Sequence, residues 1–269
     1  MAVVAVYSVK GGVGKTTFAA NLAWCAATQS SRRTLLWDLD AAGGAGFLLG
    51  VDPRKKKRAT SVISKELDPA KLIRKTGYPR LDLLPADESI RALDVQLAEI
   101  GKKNRIARLT ADLVKDYDRL VLDCPPVLNE LSSQIVRAAD LVIVPIPPSP
   151  LSARALEMVQ EEVEAAGKKA PPIMPVFSMV DRRRTLHREA VANHPDWPVI
   201  PAASAIEQCA SQQAPVGAFA PRSPALRAFK KLWTDVERRL AKGWGTERLM
   251  RPGRSFPAAR RSAAKPPPC

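Results

Sequence analysis

The chain has 269 residues, 46% of them hydrophobic, which is enough for one sizeable core. It contains no apolar run of the roughly 18 residues that a membrane span requires. A formal net charge of +15 favours an anionic partner, nucleic acid or a membrane surface, over solubility alone. Cys25, Cys124, Cys209 and Cys269 are scattered, without a CxxC pair or metal-ligand spacing, and read as reduced thiols.

The first apolar stretch, "MAVVAVYSV", has no basic n-region and runs straight into a glycine loop. It reads as a buried strand over 2–9 and not as a signal peptide. Gly11-Gly12-Val13-Gly14-Lys15-Thr16-Thr17 then opens a helix over 16–28, the strand–loop–helix context of a phosphate loop. Glycines let main-chain N–H groups curl around phosphates, and the helix N-terminus adds partial positive charge. Lys15 is expected on the β- and γ-phosphates, Thr16 on Mg²⁺ and Thr17 on the α-phosphate. The second apolar run, 33–40, ends in "LLWDLDAAGG". Strand alternation puts Asp38 and Asp40 on one side at a C-terminal strand end, where open α/β sheets bind ligands.

A basic cluster, "RKKKR" at 54–58, is expected in a loop. A strand over 80–85 and a helix over 92–115 follow. The run 118–123 ends in "RLVLDCPP", placing Asp123 at another strand end; its plain alternative is a helix cap. Strands are expected at 140–146, 172–180 and 197–201, with helices at 150–166 and 226–240. Continuous apolar runs alternating with helical periodicity predict an α/β fold: a doubly wound, mostly parallel sheet with helices on both faces. Residues 1–242 read as one domain. Residues 243–269, basic and proline-rich without acidic residues, read as a disordered tail.

The phosphate loop departs from the usual G-x-x-x-x-G-K-[ST], with Val9 at the first glycine position and Lys10 before Gly11. K-G-G-V-G-K-T-T resembles the deviant Walker A motif of the ParA/MinD family of ATPases. The resemblance extends to the D-x-D of Asp38 and Asp40, to "hhhDxPP" at 119–126, and more loosely to "FSMVDRRR", "VIPAAS" and "FAPRSPALRAF". It implies ATP and Mg²⁺ as cofactors and a homodimer formed around the nucleotide, with Lys10 reaching the phosphates held by the other subunit. It implies that Asp40 handles the attacking water, and that Asp38 and Asp123 support the metal with Thr16. Met179, Pro201 and Ala202 would approach the adenine, and Asp181 would shape its loop. The Ala41-Ala42-Gly43 that follows Asp40 departs from the family's usual Pro-Gln or Ile-Gly.

The resemblance also implies nonspecific binding to double-stranded DNA, slow hydrolysis stimulated by a ParB-like or other partner protein, and partitioning of a large cargo over the nucleoid. Arg183 matches the family's DNA-binding arginine, flanked by Arg182 and Arg184; Arg222, Lys230 and Lys231 lie on or near the last helix, with Arg227, Arg238 and Arg239 close by. For Arg182–Arg184 a plain solvated loop is the bland alternative. No helix-turn-helix precedes the first strand, so sequence-specific repression is not expected. The amphipathic last helix is expected in the core, against the alternative of a MinD-like membrane face. Two further alternatives are an electron-transfer ATPase resembling nitrogenase iron protein, which lacks its paired cysteines here, and an ATP-dependent carboxylate-amine ligase.

Overall fold

Five apolar residues, Ala2–Val6, form β1, and every one is buried. Their side chains alternate between two cores: Val3, Ala5 and Tyr7 face one, Val4 and Val6 the other. That is the signature of a strand covered on both faces, and it explains an apolar run without polar alternation. The computed structural model describes residues 1–51, 71–86, 104–167 and 170–242. In chain order β1 is followed by α1 (Lys15–Gln29), β2 (Thr34–Asp38), α2 (Gly44–Leu48), β3 (Arg74–Lys75), β4 (Leu81–Leu84) and α3 (Arg105–Leu113). Next come β5 (Arg119–Asp123), α4 (Glu130–Ala138), β6 (Leu141–Ile146), α5 (Pro150–Glu164), β7 (Ile173–Val180) and α6 (Thr185–Asn193). The described chain closes with β8 (Val199–Pro201), α7 (Ser204–Gln212), α8 (Val216–Phe219) and α9 (Pro224–Ala241).

The eight strands form one sheet in the order β3-β4-β2-β5-β1-β6-β7-β8. All pairings are parallel except β3 with β4. The chain leaves β1 toward β2 on one side, and leaves β5 toward β6 on the other. The sheet order therefore reverses around β1, and the loops after β1, β2 and β5 converge where such folds bind ligands. Helices α3, α4 and α5 cover one face through Ile106, Leu109, Ile135, Leu156 and Val159. Helices α1, α2 and α9 cover the other through Phe18, Leu22, Leu48, Phe229 and Trp233.

The doubly wound α/β fold is thus the one expected, with each expected strand shorter than its apolar run and β1 and β2 the most shortened. The run 2–9 leaves the sheet after Val6, and the run 33–40 ends at Asp38, because Leu39–Gly43 close a turn in which the Gly43 N–H donates to the Asp40 carbonyl at 2.9 Å. Of the helix expected over 92–115, residues 105–113 are helical, and 92–103 lie outside the described residues. The basic cluster at 54–58 and the tail from 243 also lie outside them.

Helix α9 settles one alternative. Leu226, Phe229, Leu232, Trp233 and Val236 are all buried, so its apolar stripe belongs to the core and offers no membrane face. Phe229 meets Phe18 edge-on at 5.5 Å, the Trp233 indole N–H donates to Ser30 Oγ at 2.8 Å, and Glu237 receives a two-pronged bond from Arg119 at 2.9 and 2.7 Å. Trp233→Ala should cost about 3–5 kcal/mol, the range for emptying a large aromatic site in a core. Urea unfolding checks it; a loss under about 1 kcal/mol would mean that α9 contributes little to the core.

Candidate nucleotide-binding site

Helix α1 opens on a left-handed glycine, as its neighbour α2 does, and not on a side-chain cap. Asn129, Ser149 and Ser223 cap α4, α5 and α9 with side-chain oxygens. Gly14 starts α1 in the left-handed region (φ 93°), with no side-chain cap and no acidic residue in the first turn. Its first N–H groups are thus left to an anion. Gly12 also takes a positive φ of 71°, and a Cβ on Gly11 or Gly12 would meet nothing within 4 Å. The loop is an open cradle of main-chain donors that fits a polyphosphate. The Lys15 ammonium is buried in it and donates to the Lys10 carbonyl at 3.3 Å. Burial lowers its pKa, partly offset by the carboxylates of Asp123 and Asp40.

Two carboxylates, Asp123 and Asp40, act on this lysine, and Asp38 lies beside Asp123. Asp38 and Asp123 end β2 and β5 in register, side by side, and both are fully buried. Asp38 is held by the N–H groups of Asp40 at 3.1 Å and Ala45 at 2.9 Å. Neither carboxylate oxygen of Asp123 has a hydrogen-bond partner among the described residues. The Thr16 hydroxyl lies beside Asp123 and favours its charged form, without reaching hydrogen-bonding geometry. Burial, then the mutual repulsion of the carboxylates, raises the pKa of Asp123 far above the usual range; burial first, then Asp40, raises Asp38. A buried, unsatisfied carboxylate is costly, and a hard cation would satisfy it. Thr16, Asp38 and Asp123 supply the oxygen donors that fit Mg²⁺, and such a cation would displace the protons that burial retains.

Asp40 sits one turn beyond the strand. Its Oδ1 accepts the Ala42 N–H at 3.0 Å, and it is partly exposed, unlike Asp38. Asp38 and Asp40 both act on Asp123, and Asp40 also acts on Lys15, which it reaches through a turn and not by strand alternation. The glycines after it, which the sequence reading passed over, have a steric role. A Cβ on Gly44 would come within 3.1 Å of Thr16 Cγ2, so any larger residue there would require the expected metal ligand to shift by a few tenths of an ångström.

On the far side of the loop, Met179 adopts a left-handed φ of 54° and lays its Cε 3.6 Å from the Cβ position of Gly14. Val180 pairs with Pro201, and the Ala202 N–H donates to the Val180 carbonyl at 3.0 Å. Met179 thus borders the loop, and Pro201 and Ala202 lie on the neighbouring strand end beside Val180. Asn21, not foreseen, ties α1 to the start of α8: it donates to the Thr17 carbonyl and accepts the Val216 N–H, both at 2.8 Å.

Lys10 does not point into the cradle of its own chain. Its ammonium donates to Ser152 Oγ at 3.0 Å, and Ser152 shares a hydrogen bond with Ser149 at 2.8 Å. Arg182, Arg183 and Arg184 are exposed in the loop after β7. Arg183 forms a fork with Asp181, both contacts at 2.9 Å, which holds the Asp181 carboxyl down at about 2. Arg188 braces the loop by donating to the carbonyls of Arg182 and Arg183. Arg222 precedes α9, and Arg227, Lys230, Lys231 and Arg238 are exposed along it, with Arg239 less so. The structure thus leaves Arg182 and Arg184 more available than Arg183. Cys25, Cys124 and Cys209 are free and buried, as expected for reduced thiols; Cys269 lies outside the described residues. No helix among the described residues is long and apolar enough to cross a membrane.

Residues 1–174 match the family described as an AAA domain. The chain is 25% identical over 247 residues to the sporulation initiation inhibitor protein Soj of Bacillus subtilis, covering 87% of this chain and 97% of that one. It is 31% identical over 196 residues to the chromosome partitioning protein ParA of Caulobacter vibrioides, covering 70% of this chain and 73% of that one. Among solved structures, that of cobyrinic acid a,c-diamide synthase from Mycobacterium smegmatis with bound ADP and magnesium superimposes with a TM-score of 0.74 at 26% identity, covering 96% of this chain and 98% of that one.

Proposed function

We propose, from the premise that this chain belongs to the ParA/MinD family of P-loop ATPases, that it is an ATP-driven positioning protein. It binds ATP with Mg²⁺, dimerises around the nucleotide, binds double-stranded DNA without sequence preference, and resets by slow hydrolysis. The observation that carries this reading is the pairing of an uncapped, open glycine cradle around Lys15 with the unsatisfied Asp123 carboxylate beside Thr16. Lys15, the main-chain N–H groups of residues 11–16 and the Thr17 hydroxyl hold the phosphates. Thr16, Asp38 and Asp123 hold the cation, which when bound neutralises charge on the terminal phosphates. Asp40, outside that buried pair, orients the attacking water. Lys10 supplies a cation to the other subunit's nucleotide, and Met179, Pro201 and Ala202 border the base.

The names of the relatives favour a partitioning or positioning role, in which a ParB-like partner stimulates turnover and the nucleoid is the surface. The net charge of +15 and the outward Arg182, Arg184, Arg222, Lys230 and Lys231 are consistent with phosphate contacts that carry no sequence information.

The test is a salt-titrated DNA shift with ADP and with a non-hydrolysed ATP analogue, run beside solution scattering. The expected result is a dimer and a shift with the analogue only, with affinity falling at least tenfold between 50 and 200 mM salt on the order seen for several phosphate contacts. A protein that remains monomeric with saturating analogue and Mg²⁺ sinks the reading. The likeness to the Mycobacterium smegmatis synthase keeps a second reading in view, an ATP-dependent ligase. Turnover that requires an added carboxylate and amine, and ignores DNA, would select it.

A further inference from the structure

Tyr7 follows β1 directly, three residues before Lys10, and its side chain is buried in the core beneath α4 and α5. Its main chain is fixed to β6, the Tyr7 N–H donating to the Ile143 carbonyl at 2.9 Å. Its hydroxyl donates to the Val127 carbonyl at 2.6 Å, 120 residues away in sequence. Val127 lies in the segment that joins Asp123 to the cap of α4. The segment is held at its start by the Cys124 N–H on the Val6 carbonyl at 3.3 Å, and at its end by the Asn129 N–H on Ser132 Oγ at 2.9 Å. Between these points Pro125 and Pro126 have no N–H to give. The Tyr7 phenol is therefore the clasp in the middle. Burial raises its pKa, with Ser132 beside the hydroxyl pulling the other way, and the neutral phenol remains a donor.

We propose that Tyr7 is a positioning residue for hydrolysis, clasping the Asp123–Asn129 segment to the strand that carries the phosphate loop. The inference rests on the ATPase reading of the site. The clasp sets where the segment after Asp123 stands relative to the phosphate loop, and hence how well it orders the end of the nucleotide. It touches none of the groups that grip the phosphates, so it acts on turnover and not on nucleotide affinity.

Tyr7→Phe keeps the ring and the packing and removes only the hydroxyl. The expected result is a kcat lower by about tenfold with the KM for ATP within twofold of wild type, and faster hydrogen exchange across residues 127–133. Placing 4-aminophenylalanine at position 7, which restores a donor, should recover most of the turnover. A Tyr7→Phe protein with wild-type kcat and wild-type exchange overturns the proposal, as does a fall in kcat with unchanged exchange that the amino analogue does not rescue. If the wild-type protein turns over no ATP, the reading of the site fails instead, and exchange across 127–133 in the two proteins still decides the clasp. Melting curves of both variants guard against simple misfolding.

Discussion

Asp40→Ala protein is expected to turn over ATP at least about 100-fold more slowly than wild type while binding ATP as well, and to accumulate as a DNA-bound dimer. The three carboxylates at the strand ends divide into two kinds. Asp38 and Asp123 are fully buried and register-paired, and are the pair proposed to hold the cation. Asp40 is half out in the turn, and its only recorded side-chain bond among the described residues is to the Ala42 N–H. Removing it leaves the phosphate cradle, Lys15 and the buried pair in place, so binding and dimerisation survive. What disappears is the one partly exposed carboxylate of the three, the one proposed to orient the attacking water. Loss of one turn bond costs little, about 0.5–1.5 kcal/mol, and Asp40→Asn, which keeps that acceptor, separates the turn from the chemistry. Phosphate release checks the rate, fluorescent nucleotide the affinity, and scattering the dimer. Turnover within threefold of wild type would remove Asp40 from the mechanism.

The parts of this fold that were legible in the sequence are those whose burial is uniform. The seven apolar runs became strands because a parallel sheet covered by helices on both sides needs no polar face, and 2–9, 33–40 and 118–123 announce this plainly. Helix α4 escaped notice because "ELSSQIVRA" presents Ser132, Ser133 and Gln134 inside its pattern; its stability comes from the reciprocal Asn129–Ser132 cap and from burial of Ile135. Helix α2 escaped because "GGAGFL" reads as a loop. Gly44 lies close against Thr16 and Gly46 close against the Val51 carbonyl, tertiary demands that override helix propensity. The glycine loop, the aspartates and Met179 were found through local motifs. Tyr7, Ser152 and Asn21 were not, since each acts on a partner more than 100 residues away and no local spacing marks such a pair.

Lys10→Ala is expected to abolish ATP-dependent dimerisation, and with it DNA binding, while each monomer still binds ATP within about threefold of wild type. In the single chain the Lys10 ammonium rests on Ser152 Oγ, a neutral oxygen in hydrogen-bonding distance of the α5 cap Ser149, and not on a carboxylate. A bond of that kind contributes on the order of 1 kcal/mol net, well below a charge-assisted contact with a phosphate, so the lysine leaves it readily once a triphosphate faces it from a second copy. Lys15 and the α1 amides remain to hold the chain's own nucleotide, which is why affinity in the monomer should barely change. The double variant Lys10→Ala/Asp40→Ala separates the two roles. If Lys10 joins the subunits and Asp40 only completes hydrolysis, the double variant is monomeric, whereas Asp40→Ala alone is a trapped dimer. Scattering of the four proteins with ATP and Mg²⁺ reads the order of these steps. A Lys10→Ala protein that dimerises at wild-type concentrations would mean that the second lysine serves its own subunit, and that the two nucleotides are not what holds the copies together.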